Sequence, residues 1–284
     1  MKSAQHLIRR ILLLSVLVVS LNSQTEISFS AELKKQMPQS NCADIKLQVL
    51  GSGGPEINDG LASASFLLWV KGKARIMVDA GGGSSLNFEK ASARFNDLDA
   101  ILLTHLHVDH SAALPVYVKA GYFTARSTAL AVYGPGAGGE FPSTERFIKG
   151  FFSDQAPGVY PYLSDNIRLQ PSTDFLLKPL SVKPSGNIWQ KKITDKIRIS
   201  AIDVVHGPVP ALAWRIDYGA CSVSFSGDMN GSSGHLQKLA KNTDLLVANN
   251  AIPQGAGRMA KNLHMTPQKI AEIASEAQVK KLAL

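Results

Sequence analysis

Residues His105-Leu106-His107-Val108-Asp109-His110 place four metal-binding side chains within six positions. Imidazole and carboxylate donors at that density suit zinc or another borderline divalent ion. In extended backbone, side chains two residues apart point the same way, so His105 and His107 can grip one ion together. Asp109 and His110 follow where the chain turns, and their different directions suit a second ion alongside.

The elements that must position this cluster are written in the same sequence. Ile101 to Leu103 is a continuous apolar run that reads as a short strand buried on both faces, and the ligands begin where it ends. Ile45, Leu47 and Val49 alternate with polar residues as another strand. Gly51-Ser52-Gly53-Gly54-Pro55 then reads as a tight turn, since it lacks the Lys-Ser/Thr ending of a phosphate-cradling loop. Ser63 to Val70 and Ala74 to Val78 suggest a hairpin around Lys71-Gly72-Lys73. Helices are expected over Ser84 to Phe95 and Ala112 to Ala120, with a strand at Leu130 to Tyr133 and a turn at Gly134-Pro135-Gly136. Residues 136–175 are rich in Gly, Pro and aromatics, which suits a lid or substrate wall and equally a packed surface insertion. Within 176–197 only a loop is expected. Ile197 to Val205 reads as a strand delivering His206, and Trp214 to Tyr218 with Ser222 to Phe225 as a hairpin ending in Ser226-Gly227-Asp228. Thr266 and Pro267 are an N-cap and a first helical residue for a helix reaching Ala277.

Length and composition bound the rest. A chain of 284 residues with 18% charged side chains fits one globular α/β domain or a tight pair. Residues 1–30 stand apart: Lys2, Arg9 and Arg10 precede the apolar run Ile11 to Leu21, and Ser28 and Ser30 are placed for cleavage before Ala31. That is the pattern of a secretory signal peptide, shorter than a membrane span of about 20 residues. The expected protein is therefore periplasmic or secreted with no stable membrane insertion, or membrane-anchored if the leader stays. Export would permit a Cys42–Cys221 disulfide, although a buried free Cys221 fits the pattern as well. The formal net charge of +8 is compatible with an anionic substrate.

The motif His105-x-His107-x-Asp109-His110 resembles the signature of the metallo-β-lactamase superfamily, and the likeness runs nearly end to end. It implies a four-layer αββα sandwich with the metals at one edge between the sheets. It also implies two zinc ions, manganese or iron(II) being alternatives. His105, His107 and His206 would hold the first ion, Asp109 and His110 the second, and Asp228 would bridge them. Left to themselves, His206 would read as a core residue and Asp228 as part of a Gly-Asp turn. Asp79-Ala80-Gly81 resembles the family's Asp-x-Gly turn, whose aspartate supports the metal site from behind.

Within the superfamily, Asp228 disfavours true β-lactamases, which carry cysteine or another residue there. His264-Met265-Thr266 and Tyr133-Gly134-Pro135 resemble the ribonuclease Z branch, whose equivalent of His264 contacts the scissile phosphate and helps protonate the leaving group. Asp109 and His264 are thus the catalytic candidates. The implied reaction is attack by metal-bound hydroxide on a phosphodiester or an aryl sulfate, in a small anionic or nucleic-acid-derived substrate. A lactonase or thioesterase, or a metal-binding protein without catalysis, are the other readings, and a homodimer is compatible. His235 is expected at the surface, and His6 belongs to the leader. Two departures stand out. Only a short hairpin separates His206 from Asp228, where the transfer-RNA-processing enzymes carry a long arm. Leu282-Ala283-Leu284 begins a strand that in the family runs on to a further histidine, so the chain is expected to be cut short at its C-terminus and its second metal site weakened.

Overall fold

Alternating burial along the strands and apolar stripes along the helices sort the chain into four layers. The computed structural model describes residues 42–155, 158–168 and 175–284. The expected leader at 1–30 and the boundary at residue 31 lie outside them.

The first half runs β1 (Ile45–Gly51), β2 (Ser65–Val70), β3 (Lys73–Val78), α1 (Ser84–Lys90), β4 (Ala100–Leu102), α2 (Val108–Ser111), α3 (Leu114–Gly121), β5 (Leu130–Pro135), α4 (Thr144–Phe152) and β6 (Leu177–Val182). The second runs β7 (Trp189–Lys192), β8 (Ile197–His206), β9 (Val209–Tyr218), β10 (Cys221–Phe225), α5 (His235–Leu239), β11 (Leu245–Val247), α6 (Arg258–Leu263), α7 (Pro267–Glu276) and β12 (Leu282–Ala283). Each half builds a six-stranded sheet, in the orders β1-β2-β3-β4-β5-β6 and β12-β11-β10-β9-β8-β7. Both sheets are mixed. β1 to β3 pair antiparallel and β3 to β6 parallel; β7 to β10 pair antiparallel and β10 to β12 parallel.

The core follows the period of two. Leu68, Ile76, Leu102, Ile199, Trp214 and Phe225 fill the space between the sheets. The alternate residues Leu67, Met77 and Ile101 face outward onto Phe88, Tyr117 and Phe152, which lie on α1, α3 and α4. On the far side Ile202, Ala213 and Leu246 meet Leu236, Ile270 and Ile273 of α5 and α7. This is the αββα sandwich that the sequence led us to expect. β4 is buried on both faces, as its unbroken apolar run required.

Several local expectations change. The segment 176–197 is not a loop, because β6 and β7 extend the two sheets there; β7 is an edge strand with three exposed residues, so its pattern is faint. The helix expected to reach Phe95 ends at Lys90. Ser92 takes a left-handed conformation (φ 55°), and the amides of Ser92 and Ala93 turn back to the carbonyls of Glu89 and Phe88, a helix stop made without glycine. β5 continues through Gly134-Pro135, pairing with Ser181 and Val182 of β6. β9 starts at Val209 and forms with β8 a ten-residue hairpin that turns at Gly207-Pro208. His235 is half-buried, its Nδ1 donating to the Asp203 carbonyl at 2.8 Å. The open question of the cysteines resolves as a Cys42–Cys221 disulfide, with Cα atoms 5.8 Å apart. Among the described residues no helix is long and apolar enough to cross a membrane.

Candidate metal centre

Strand ends from both sheets meet at one edge, and the candidate ligands are carried there. β4 delivers Thr104 and His105. β8 ends on His206, and β10 leads through Ser226-Gly227 into Asp228. Two glycines permit this crowding. Gly227 has φ 57°, and a Cβ there would stand 2.8 Å from Thr104 Cβ. A Cβ on Gly81 would come within 2.2 Å of the Asp109 carbonyl oxygen. The Asp79-Ala80-Gly81 turn therefore packs directly beneath the histidine loop, and the Ala80 amide donates to the His110 carbonyl at 2.8 Å.

The donor atoms lie as ligands of one ion would. His105 Nε2 and His107 Nδ1 are 3.0 Å apart, and His206 Nε2 lies 3.4 Å from His107 Nδ1. Ligands of a tetrahedral zinc with bonds near 2.0 Å stand about 3.3 Å apart, so these three fit a shared metal. On the other side, His110 Nε2 is 3.5 Å from Asp109 Oδ2 and 3.6 Å from Asp228 Oδ1. Asp228 divides its oxygens, Oδ1 facing His110 while Oδ2 faces His206 at 3.9 Å and His264 at 3.7 Å. Three sets of residues have donors close enough for one cation: His105, His107, His206; His105, His110, Asp228; and His206, Asp228, His264.

Partners behind the cluster fix which nitrogens face inward. Asp79, 1% exposed, accepts from the Thr104 amide at 2.7 Å, from Thr104 Oγ1 at 2.8 Å and from His110 Nδ1 at 2.8 Å. Having given its hydrogen to Asp79, Thr104 Oγ1 can only accept from His105 Nδ1, 3.1 Å away. His206 Nδ1 donates to the Leu263 carbonyl at 2.9 Å. His105, His110 and His206 thus turn Nε2 towards the centre as lone-pair donors once a metal is bound.

Electrostatics agree with that assignment. Burial holds His105 well below the ordinary imidazole range, with neighbouring His110 adding to the effect; burial also lowers His107 and His206. Neutral imidazole is the form that binds metal. His110 differs. Burial would lower it too, but the carboxylates of Asp79 and Asp228 outweigh burial and raise it well above its usual value. A cation arriving at His110 Nε2 takes the place of that proton. Burial works against the Asp228 carboxylate as well, yet His110, helped by His105 and His206, holds it well below the ordinary carboxylate range.

All of the expected residues are therefore present at one edge: His105, His107, Asp109, His110, His206, Asp228 and His264 around the centre, and Asp79 behind it. His264 caps the end of α6 and leaves its Nδ1 buried without a hydrogen-bond partner among the described residues. Sequence reasoning missed three participants. Thr104 couples Asp79 to His105, Asn249 donates its side-chain amide to Asp228 Oδ1, and Phe141 sets its ring 5.7 Å from that of His107. Asn249 had no visible signal. It follows β11, the parallel neighbour of β10, and parallel neighbours bring their C-terminal ends to the same edge. Phe141 brings one residue of the 136–175 segment beside the candidate ligand His107.

Comparison with known proteins agrees with this geometry. The Metallo-beta-lactamase superfamily pattern matches residues 58–267. A ribonuclease Z from Enterococcus faecalis is 26% identical over 275 residues, covering 84% of this chain and 86% of that one. Among solved structures, the short form of human tRNase Z superposes with a TM-score of 0.66 at 18% identity, covering 84% of this chain and 95% of that chain. The metallo-beta-lactamase fold protein YhfI from Bacillus subtilis gives 0.64 at 20% identity, covering 84% and 83%. With that match spanning most of the fold and the metal-ligand cluster assembled at its edge, the chain belongs to the metallo-β-lactamase superfamily and is a metallo-hydrolase related to ribonuclease Z.

Proposed function

We propose that the protein is an exported, zinc-dependent hydrolase that cleaves phosphodiesters in a small anionic or nucleic-acid-derived substrate. The observation that carries this reading is the division of Asp228 between two imidazole sets, with His264 and its unpartnered Nδ1 alongside. His105, His107 and His206 would hold one ion, Asp109 and His110 the other, and Asp228 would bridge them. Such a pair of ions supplies Lewis-acid polarisation of the phosphoryl oxygen and a water acidified to near neutrality.

The chain's own groups do the rest. Asp79 and Thr104 fix the imidazole tautomers, so the donors are oriented before substrate arrives. Asn249 restrains one oxygen of Asp228 and limits its rotation. Phe141 sets an aromatic ring beside His107 and would limit the approach of water from that side. His264 would give a proton to the departing alkoxide; its half-buried side chain stands 3.7 Å from Asp228 Oδ2, and its Nδ1 has no hydrogen-bond partner among the described residues.

A leaving-group comparison tests the role of His264. A poor alkoxide leaving group needs protonation, whereas p-nitrophenolate leaves with little help. His264→Ala is expected to slow an alkyl phosphodiester by about 100-fold or more, within the usual reach of general acid catalysis, and bis-p-nitrophenyl phosphate far less. Equal losses on both would remove His264 from the acid role. An aryl sulfate assayed in parallel shows whether the site also takes sulfuryl esters.

Two features support export: the signal-like pattern of residues 1–30 and the Cys42–Cys221 disulfide, a bond that persists in oxidising compartments. N-terminal sequencing of protein recovered from the periplasm should begin near Ala31. An intact Met1 on membrane-bound protein would replace cleavage with anchoring.

A further inference from the structure

Among the described residues, helices cover the outer face of the second sheet towards the metal edge. α5 and α7 lie over Ile202, Val204, Ala211 and Ala213. Further down the same face, the register aligns Gln190, Ser200 and Arg215 in one row and Lys192, Arg198 and Asp217 in the next. Together with the end of α5 they line a cavity of about 730 Å³. That volume falls within the range of small-molecule sites, roughly 300–1,000 Å³.

Its charge is unbalanced in one direction. The three carboxylates on its walls are all engaged: Asp217 with Arg215 at 2.9 Å, Asp195 with Lys192 at 2.8 Å, and Asp44 with Lys71 at 3.7 Å. Lys196, Arg198 and Lys238 line the cavity without an acceptor among the described residues. Arg215 is held rigidly, its Nη1 donating to the carbonyls of Leu239 and Lys241 at 3.1 and 2.8 Å. An independent observation lies in the middle of the row. Ser200 is 2% exposed, and its Oγ is buried with no hydrogen-bond partner. Buried hydroxyls in folded proteins find partners, and the described residues supply none for this one.

We propose that this cavity is a second anion site, taking inorganic phosphate or the phosphate group of a nucleotide. Arg198 and Lys238 would meet the oxyanion from solvent, Arg215 would back it, and Ser200 would donate to one of its oxygens. The guanidinium fork matches two phosphate oxygens at once. The site is separate from the metal centre. His206 lies eight residues beyond Arg198 on β8, about 26 Å along an extended strand.

Calorimetric titration of the zinc-loaded protein with inorganic phosphate, and separately with adenosine 5′-monophosphate, tests the proposal. Comparison with an R198E/K238A double variant isolates the cavity, since both side chains are exposed and neither lies near the metal centre. The double variant should lose one phosphate-binding event by at least about tenfold in affinity, while bis-p-nitrophenyl phosphate hydrolysis stays unchanged. Ser200→Ala should weaken the same event. If the nucleotide event is lost as well, the site accepts phosphate esters; if only the inorganic phosphate event is lost, it accepts the free ion. Undiminished binding of both probes by the double variant would overturn the proposal, whatever the metal centre does.

Discussion

Cys42→Ser is expected to lower stability by about 3–5 kcal/mol and the melting temperature by roughly 6–20 °C. The disulfide closes a loop spanning 179 positions of sequence, and the restriction it places on the unfolded chain grows with loop length. It also joins the turn before β1 to the first residue of β10, and so ties the first sheet to the second away from the metal edge. Thermal unfolding of the oxidised protein, the same protein in dithiothreitol and the Cys42→Ser variant measures the effect. Reduced wild type and variant should melt together, both below the oxidised protein. Three coincident curves would mean that strand pairing from Ile45 onward already fixes this corner.

The largest effect on activity is expected at Asp228. Groups that support a metal ligand from behind typically change affinity or activity 10–100-fold. Asp228 faces both imidazole sets directly, so Asp228→Ala should cost more, at least about 1,000-fold in turnover together with most of the bound metal. The substitution also removes the only carboxylate among the described residues that lies within 4 Å of both His110 and His206. Without it, His110 keeps the influence of Asp79 alone among its two stabilising carboxylates. Circular dichroism of the variant separates loss of metal from loss of fold.

Much of this could be read from the sequence because two simple periodicities carry it. The run Ile101-Leu102-Leu103 announces a strand buried on both faces, and the His-x-His spacing that follows places two imidazoles on one side of extended backbone. Thr266-Pro267 marked the start of α7 correctly, with the Thr266 side chain accepting from the Lys269 amide. Other features depend on contacts that no local pattern encodes. β7 is a four-residue edge strand in which Gln190 and Lys192 face the open half of the sheet, so no apolar alternation marks it. Ser92 ends a helix in a left-handed conformation that glycine more often supplies. Asn249 reaches Asp228 only because β11 pairs parallel with β10. The disulfide likewise depends on a distance in space between residues far apart in sequence.

The most direct test of the account is elemental analysis of the wild-type protein and Asp228→Ala, purified identically and assayed on bis-p-nitrophenyl phosphate. Zinc in the wild type with measurable phosphodiester turnover, and loss of both in the variant while its fold persists, is the expected result. A wild type that turns over the diester without a transition metal, or a variant that retains the wild-type metal content, would contradict it.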